Sequence, residues 1–251
     1  MSRLRQLLVR TGLFPLARAV RRAFRGPADR AREREEVDFY RAVLPPGALA
    51  FDIGANVGEI TERLLQAGAR VVAVEPQAEC VAELRARCGA HTRLVGVVTA
   101  AVGRESGTAT LHVRESRASS SLDPLWYGKP GEPRTVPMVT LAELIARHGV
   151  PDFCKVDVEG SELEVFSTLA QPLPLVCFEY VDFALDRAAA CLALLAPDGE
   201  AETNLGLTGP HRFLLPGWIP PAELLRRLPG WMADGTVRPW GDIWVRRIAP
   251  P

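Results

Sequence analysis

The chain has 251 residues, of which 47% are hydrophobic, and its formal net charge is zero. This composition supports one sizeable α/β domain with an appendage, and a neutral chain carries no global signature of nucleic-acid binding. The five cysteines lack C-x-x-C spacing, which indicates free buried thiols and neither a disulfide framework nor a zinc site. No apolar run approaches the roughly 18 residues that span a bilayer, and arginines interrupt any candidate signal sequence, so we expect a cytoplasmic protein.

Residues 1–47 are predicted to form a basic helical extension that precedes one domain over residues 48–251. Arginines alternate with apolar residues from Arg3 to Arg25 at roughly helical spacing, and Gly12 and Pro15 divide the pattern in two. Two interpretations stay open. The segment either makes peripheral contact with an anionic membrane, or it is an arm packed on its own domain or on the second subunit of a homodimer. We favour the arm.

Strands and helices alternate after this extension. We predict a strand ending at Ile53, a helix to Ala67, a strand to Val74, a helix over 78–88 and a strand over 93–98. This alternation is typical of a parallel sheet covered on both faces, with ligands at the carboxyl ends of its strands. A glycine turn follows the first strand, and an acid followed by proline ends the second. The predicted cofactor-binding residues here are Asp52, Gly54, Ala55, Asn56, Val57, Gly58, Glu75 and Pro76.

The residue types of this turn favour a cationic nucleoside cofactor. Glu75 is placed to accept hydrogen bonds from ribose hydroxyls. A carboxylate at Asp52 repels the pyrophosphate of a dinucleotide but suits an amino group and a sulfonium. A nicotinamide cofactor and a non-binding glycine turn are the less favoured interpretations.

The middle of the chain is predicted to begin with a hairpin over 99–113. The stretch from Trp126 to Pro133 is rich in glycine and proline and is interpreted as a mobile loop that acts as a lid or an acceptor contact. A helix over 139–148 and a buried strand over 153–156 follow. We then expect Ser161 and Glu164 to form a capping box at the start of a helix that runs to about Leu169.

Acidic residues follow the predicted strands repeatedly. Asp52, Glu75, Asp157 and Glu179 each stand at the end of a separate strand, with Glu159 just beyond. Since those ends share one edge of a parallel sheet, we expect the carboxylates to cluster around one cleft. Asp157 and Glu159 are the leading catalytic candidates, Glu179 is predicted to orient the acceptor, and Lys155 is expected to pair with one of these acids. The same carboxylates are also able to hold a divalent cation, which is not our prediction.

The last third is predicted to hold a helix over 184–195, an edge strand over 200–207, a short helix over 223–228 and a final strand over 242–245. His211 lies in a stretch dense in glycine and proline, where it is a weak candidate for an acceptor contact.

The motifs together resemble one family. The run from Asp52 to Gly58, the Val74-Glu75-Pro76 triplet, residues 140–144 and the block from Lys155 to Glu164 are similar to the FkbM family of class I methyltransferases. This resemblance implies S-adenosylmethionine as cofactor and a Rossmann-like α/β fold, a seven-stranded, mostly parallel sheet with an antiparallel last strand. It also implies that Ala101 lines the adenine pocket and that the serine-rich segment 117–122 lies near the cofactor.

We therefore predict an O-methyltransferase that acts on a hydroxyl of a sugar, glycan or polyketide-like metabolite, a small-molecule or glycan acceptor. Two alternatives remain open on the sequence. One is a catalytically silent cofactor-binding protein that docks a partner or membrane through its basic N-terminus. The other, less favoured, is a nicotinamide-dependent oxidoreductase.

Overall fold

A computed structural model of the chain describes residues 26–128, 131–207 and 212–248. The arginine-rich segment before Gly26, on which the membrane and arm interpretations depend, lies outside these residues, and so does His211. None of the helices in the described ranges is both long enough and apolar enough to cross a membrane.

The elements alternate between strands and helices along most of the chain. The helices are α1 (Pro27–Val43), α2 (Glu59–Ala67), α3 (Ala78–Cys88), α4 (Leu141–His148), α5 (Glu162–Phe166), α6 (Leu185–Leu195) and α7 (Pro221–Ala233). The strands are β1 (Leu49–Ile53), β2 (Arg70–Val74), β3 (Leu94–Val98), β4 (Ala101–Gly103), β5 (Gly107–Val113), β6 (Glu132–Thr140), β7 (Phe153–Val156), β8 (Leu175–Val181), β9 (Ala201–Leu207), β10 (Arg212–Phe213) and β11 (Trp240–Arg247). Short 3-10 turns lie at Arg117–Ser119, Trp126–Gly128 and Asp182–Ala184.

The main sheet has the strand order β10-β9-β11-β8-β7-β1-β2-β3. Strands β3, β2, β1, β7 and β8 are parallel neighbours, and β11 runs antiparallel between β8 and β9. The predicted Rossmann-like fold with an antiparallel last strand is therefore confirmed. The sheet has one strand more than predicted, because the two-residue β10 pairs with β9 at the edge.

Side chains alternate between the two faces of this sheet, as strand geometry requires. On β1, Phe51 and Ile53 pack into the core beneath α4 to α7, whereas Ala50 packs on the opposite face beneath α1 and α2. Both faces are thus covered by helices, and the central strands β1 and β7 are buried throughout. The carboxyl ends of the parallel strands are left as the edge on which a ligand can bind.

Helix α1 packs directly on the domain. Its Tyr40 and Phe39 rings contact Trp244 of β11, with centroid separations of 6.4 and 5.4 Å. On the neighbouring α2, the guanidinium of Arg63 lies 3.0 Å from carboxylate oxygens of both Glu33 and Glu36. The described part of the predicted extension therefore contributes to one face of the core.

A second, smaller sheet corrects the predicted hairpin. Its order is β4-β6-β5, so β6 lies between the two strands that were expected to pair with each other. Strand β6 occupies residues that the sequence divided between a loop and a helix start. Alternation along β6 is weak, because it contains Pro133 and Pro137 and most of its residues are at least partly exposed. Proline is tolerated where a backbone N–H is not needed for pairing.

The helix boundaries also differ from the predicted ones. The capping box stands at Thr140 and Glu143 of α4, not at Ser161, whose side chain makes no capping hydrogen bond. Helix α5 ends at Phe166, before the predicted Leu169. Helix α7 is longer than expected and continues through Pro229. Strand β9 is not at the edge, because β10 covers it.

Candidate functional site

A cavity of about 240 Å³ opens at the carboxyl ends of β1, β2 and β7. Seven of the predicted cofactor residues and Ala101 line it, and so do two of the three acids proposed for catalysis. These residues are Asp52, Gly54, Ala55, Asn56, Val57, Glu75, Pro76, Ala101, Asp157 and Glu159. The sequence motifs therefore converge on one space at the predicted edge of the sheet.

Gly58 and Glu179 lie outside this lining. Gly58 is the N-cap of α2 and has a φ of 78°, and a Cβ there would lie 2.7 Å from the Leu84 side chain. Its role is close packing of α2 against α3 beneath the turn. Asp157 and Glu159 lie in the loop that follows β7, the β7 loop, and Glu179 lies beside them. Glu179 is four residues before Phe183, and it stands within β8 rather than at the strand's end.

Glu75 ties the turn to the strand beside it. One of its oxygens accepts a hydrogen bond from the Asn56 backbone N–H at 2.9 Å, and the other accepts one from the Gln77 N–H at 2.9 Å. Burial raises the pKa of this carboxyl to about 7, although both backbone bonds act in the opposite direction. Each oxygen keeps a further lone pair, so the carboxylate can still accept ribose hydroxyls.

Asp52 is buried at the base of the cavity, with 2% of its surface exposed. The Thr61 hydroxyl of α2 donates to its Oδ2 at 2.6 Å. Burial raises the pKa of the carboxyl, against the Thr61 bond and the charge of Lys155. A cation bound beside Asp52 would offset the cost of burying this carboxylate, in line with the cationic cofactor that the sequence motif favours.

The turn between β1 and α2 needs its glycine at position 54. Gly54 has a φ of 85°, and a Cβ there would lie 1.8 Å from the carbonyl oxygen of Asp157. Asn56 adopts a φ of 48°, an uncommon conformation for a residue with a side chain. The first glycine thus lets the β1 turn and the β7 loop touch.

Three carboxylates meet at the end of β7. Asp157, Glu159 and Glu179 place carboxylate oxygens within 4.8 Å of one another. Glu159 has a φ of 56°, which strains a non-glycine backbone. The Tyr127 hydroxyl donates to its Oε2 at 2.8 Å. The clustering predicted from strand ends is present for these three acids.

Lys155 pairs with Asp157, as the sequence suggested, with an Nζ to Oδ2 distance of 2.7 Å. Burial disfavours the ammonium, but the charges of Asp157 and Asp242 outweigh it and raise the pKa of Lys155 well above its ordinary value. Glu159 and Glu179 make no ion pair among the described residues. They are therefore the less neutralised members of the cluster.

Burial and mutual repulsion keep protons on these acids. Burial, followed by the charge of Asp157, raises the pKa of Glu159 to about 7. The same two causes and the charge of Glu159 raise the pKa of Glu179 to about 9. At neutral pH, Glu179 is therefore mainly protonated, while Glu159 is poised to exchange a proton.

Gln77 is a residue of the cavity that was not singled out from the sequence. It lines the cavity, donates to the Arg117 carbonyl at 3.0 Å and has a buried Oε1 without a hydrogen-bond partner in the described ranges. Arg117 and Ser120 also line it, within the serine-rich segment whose position the family resemblance implied. Gln77 belongs to no motif. Its position two residues after Glu75 was the one signal in the sequence that could have placed it at the cavity.

Ser121 connects this segment to the acid cluster. Its hydroxyl donates to the Glu159 carbonyl at 2.6 Å, and it accepts from the Asp123 N–H at 3.0 Å. The serine-rich segment thus supports both the cavity and the strained Glu159 loop.

A Rossmann-like sheet with an acid after its second strand defines a nucleoside-cofactor protein. The comparison with known families is consistent with this class, because the FkbM methyltransferase domain matches residues 52–200, more than half of the chain. The chain belongs to this family, and it is an S-adenosylmethionine-dependent methyltransferase. No curated protein has a sequence that matches it.

Solved structures with a similar arrangement are distant. Precorrin-6y C5,15-methyltransferase from Geobacter metallireducens is 12% identical with a TM-score of 0.42, covering 85% of this chain and 88% of that one. Precorrin 8w decarboxylase from Methanobacterium thermoautotrophicum is 13% identical with a TM-score of 0.43, covering 85% and 89%. A possible histamine N-methyltransferase from Thermotoga maritima is 13% identical with a TM-score of 0.36, covering 88% and 91%. At these values, they carry no information about the acceptor.

The cavity fits the cofactor of this family. Glu75 offers lone pairs for hydroxyls, and the Asp52 carboxyl at the base of the cavity suits an amino group or a sulfonium. The unpaired Oε1 of Gln77 supplies an acceptor for an amino group such as that of adenine.

Proposed function

We propose that this protein transfers the methyl group of S-adenosylmethionine to a hydroxyl oxygen of a sugar, glycan or polyketide-like acceptor. The observation that supports this proposal is the meeting of Asp157, Glu159 and Glu179 within 4.8 Å beside the cofactor cavity. A hydroxyl is a weak nucleophile, and a carboxylate that takes its proton makes the oxygen more reactive.

The bound cofactor supplies an electrophilic methyl group, and its sulfur keeps the electron pair of the broken carbon–sulfur bond. The acceptor oxygen forms the new bond to carbon and gives up its proton. Glu159, in its carboxylate form, is the proposed proton acceptor because it lines the cavity and has a pKa raised to about 7. A base with a pKa near the working pH is the most effective.

Asp157 and Glu179 take different parts in this proposal. The Asp157 carboxylate forms an ion pair with Lys155 at 2.7 Å, so its part is to fix the loop that carries Glu159. Glu179, with a pKa raised to about 9, keeps its proton and can donate to an acceptor oxygen. The pair therefore positions the acceptor while Glu159 exchanges the proton.

The three carboxylates are alternatively able to hold a divalent cation that acidifies the acceptor hydroxyl. In that case, methyl transfer would be lost on chelation and restored by Mg²⁺ or Mn²⁺. In the proposed mechanism, chelation leaves the rate unchanged.

The test is methyl transfer from labelled S-adenosylmethionine into a metabolite extract, with and without a chelator. We expect one or more labelled products that keep the label in mild base, which hydrolyses methyl esters, and release it as methyl iodide in hot hydriodic acid, as a methyl ether requires. Glu159→Gln should lower the rate of labelling about 10²- to 10⁴-fold and still bind S-adenosylhomocysteine in calorimetry. Label on an amine nitrogen would contradict O-methylation, and absence of heat with both cofactor forms would contradict the methyl-donor site itself.

A further inference from the structure

An exposed aromatic surface adjoins the acid cluster. Tyr127 and Phe183 are 44% and 58% exposed, with ring centroids 5.9 Å apart and planes at 75°. The buried Trp126 ring lies behind both of them, at 5.9 and 5.0 Å. We call Tyr127 and Phe183 the aromatic shelf.

The aromatic shelf and the carboxylates are held by the same segments of the chain. The Tyr127 hydroxyl donates to Glu159 at 2.8 Å, and Phe183 lies in the 3-10 turn that directly follows β8, the strand that carries Glu179. A Cβ on Gly160 would lie 2.5 Å from the Trp126 ring, so the Glu159 loop packs directly against the base of the shelf. Anything lying on the shelf is therefore beside the acids and next to the cofactor cavity that Glu159 lines.

The shelf is held in place rather than simply left on the surface. Tyr127 adopts a φ of 65°, an uncommon conformation for a bulky side chain. The Arg114 guanidinium donates to the Trp126 carbonyl and to the Ser119 carbonyl, and it lies 5.7 Å from the centre of the Tyr127 ring. Backbone strain that the surroundings maintain is characteristic of ligand sites.

We propose that the aromatic shelf of Tyr127 and Phe183 is the acceptor subsite, and that it takes the apolar face of a neutral polyhydroxylated ring, a pyranose, whose hydroxyls meet Glu159 and Glu179. This inference rests on the methyl-transfer function proposed above and narrows its acceptor to a sugar ring.

The chemistry beside the shelf selects this occupant over its rivals. A purely apolar chain would cover Glu179 and leave its carboxyl group without a hydrogen-bond partner, which is costly. An ammonium on the Tyr127 face would meet the Arg114 guanidinium already there. Phosphate groups would be repelled by the carboxylates. A sugar ring offers C–H groups to aromatic faces and hydroxyls that both donate to and accept from carboxyl groups.

The test uses saturation-transfer NMR with methyl α-D-pyranosides of the gluco, galacto, manno and fuco series, each with and without saturating S-adenosylhomocysteine. Cyclohexanol and cyclohexylamine are the ring-matched probes for an apolar and a cationic acceptor. We expect signal from at least one pyranoside, strongest for protons on one ring face, and at least fivefold more than for either cyclohexyl compound.

Variants separate the shelf from its surroundings. Phe183→Ala, Phe183→Leu and Tyr127→Ala should each reduce the pyranoside signal at least fivefold, whereas Tyr127→Phe, which keeps the ring, should stay within about twofold. Val150→Ala is the control. Val150 is an equally exposed apolar side chain, at 45%, and it precedes β7, so it lies at the opposite edge of the sheet. Its substitution should leave the pyranoside signal unchanged. Circular dichroism melting curves check that each variant is folded, which is expected because the substituted rings are exposed.

Three results would overturn the inference: no pyranoside signal from a wild-type protein that binds S-adenosylhomocysteine, a stronger signal from cyclohexylamine, or a pyranoside signal unaffected by loss of both rings. A failure to bind S-adenosylhomocysteine would instead count against the methyl-transfer function, and the pyranoside measurements without it would still decide the role of the shelf.

Discussion

The ammonium of Lys155 lies 2.7 Å from Oδ2 of Asp157, and the two side chains differ sharply in exposure, at 7% and 37%. The lysine is thus a buried cation, and its partner Asp157 is partly exposed to the solvent-accessible cleft. Because the two residues are separated by one position at the end of β7, they lie on the same face of the strand. This pair leaves Glu159 and Glu179 as the acids of the cluster without an ion-pair partner in the described ranges.

We expect the two halves of this pair to respond unequally to substitution. Asp157→Asn leaves a buried ammonium without its ion-pair partner, although the charge of Asp242 still acts on it. Removing one partner of a buried pair costs up to about 3–5 kcal/mol. Lys155→Met removes the buried charge and leaves Asp157 partly solvated, so it should cost less than half as much. Urea unfolding of both variants at pH 7 measures this difference. A larger loss in Lys155→Met would show that Asp157 depends on the lysine more than the reverse.

Glu75→Gln should weaken cofactor binding about 10- to 100-fold, since hydrogen bonds to a charged group contribute about 1.5–3 kcal/mol. Glutamine keeps one oxygen for a backbone N–H of the turn but loses the second charged acceptor. Calorimetry with S-adenosylhomocysteine gives the affinity. Glu105→Gln, at an exposed glutamate outside the cavity lining, is the matched control, and equal affinities in the two variants would remove Glu75 from the site.

Glu159→Gln should lower kcat by about 10²- to 10⁴-fold, the range typical of a general base, with unchanged affinity for S-adenosylhomocysteine. In the wild-type protein, kcat/KM should rise with pH and level off above the Glu159 pKa of about 7, because the carboxylate is the active form. A profile that is flat from pH 5.5 to 8.5 would assign proton removal to another group or to solvent.

Gly54→Ala should abolish cofactor binding and destabilise the fold. A Cβ at this position meets the Asp157 carbonyl oxygen at 1.8 Å, in addition to the strain of a φ of 85°. Gly199→Ala is the matched control, with a φ of 74° and nothing within 4 Å of its Cβ, so it carries the strain alone. We expect the midpoint temperature of thermal unfolding to fall clearly further in Gly54→Ala than in Gly199→Ala. Equal losses would mean that close approach of the two loops is unimportant.

Glu179→Gln should stabilise the cofactor-free protein at alkaline pH. The folded state holds the Glu179 proton up to a pKa of about 9, whereas an unfolded glutamate releases it near 4.5. The unfolded state therefore binds fewer protons across this window, and wild-type stability from this group falls as pH rises. Glutamine does not titrate, so the variant's advantage should grow from pH 5 to pH 9 and reach at least ~3 °C in Tm.

The melting curves of both proteins at pH 5, 7 and 9 test this sign. Since the two proteins differ at one group, other titrating residues cancel in the comparison. An advantage that shrinks with rising pH would show that Glu179 is ionised at neutral pH and held by a cation or a hydrogen-bond network.

The cofactor half could be predicted because its signals are local. Buried strands such as β1 are continuous apolar runs, and the glycine turn and Glu75 follow them at fixed spacing. The local sequence patterns did not predict the structure where the strands that pair with a segment are distant in sequence. Strand β6, with two prolines and a half-exposed pattern, owes its conformation to pairing with β4 and β5. The capping box expected at Ser161 is absent, and the backbone N–H groups of Val158 and Gly160 bond to Glu162 at this helix start instead. The capping box that the structure does contain, at Thr140 of α4, belongs to a different helix.

The sequence by itself determined the class of fold, the family and the set of acids that meet at one sheet edge, because parallel topology places all strand ends together. The tertiary structure alone decided which acid is neutralised and which is exposed to the cavity, since the pairing of Lys155 with Asp157 depends on side-chain direction. It also brought Tyr127 and Phe183, from separate segments, beside Glu159. No spacing in the chain encodes that contact, which arises when β8 and the Trp126 turn pack against the same loop.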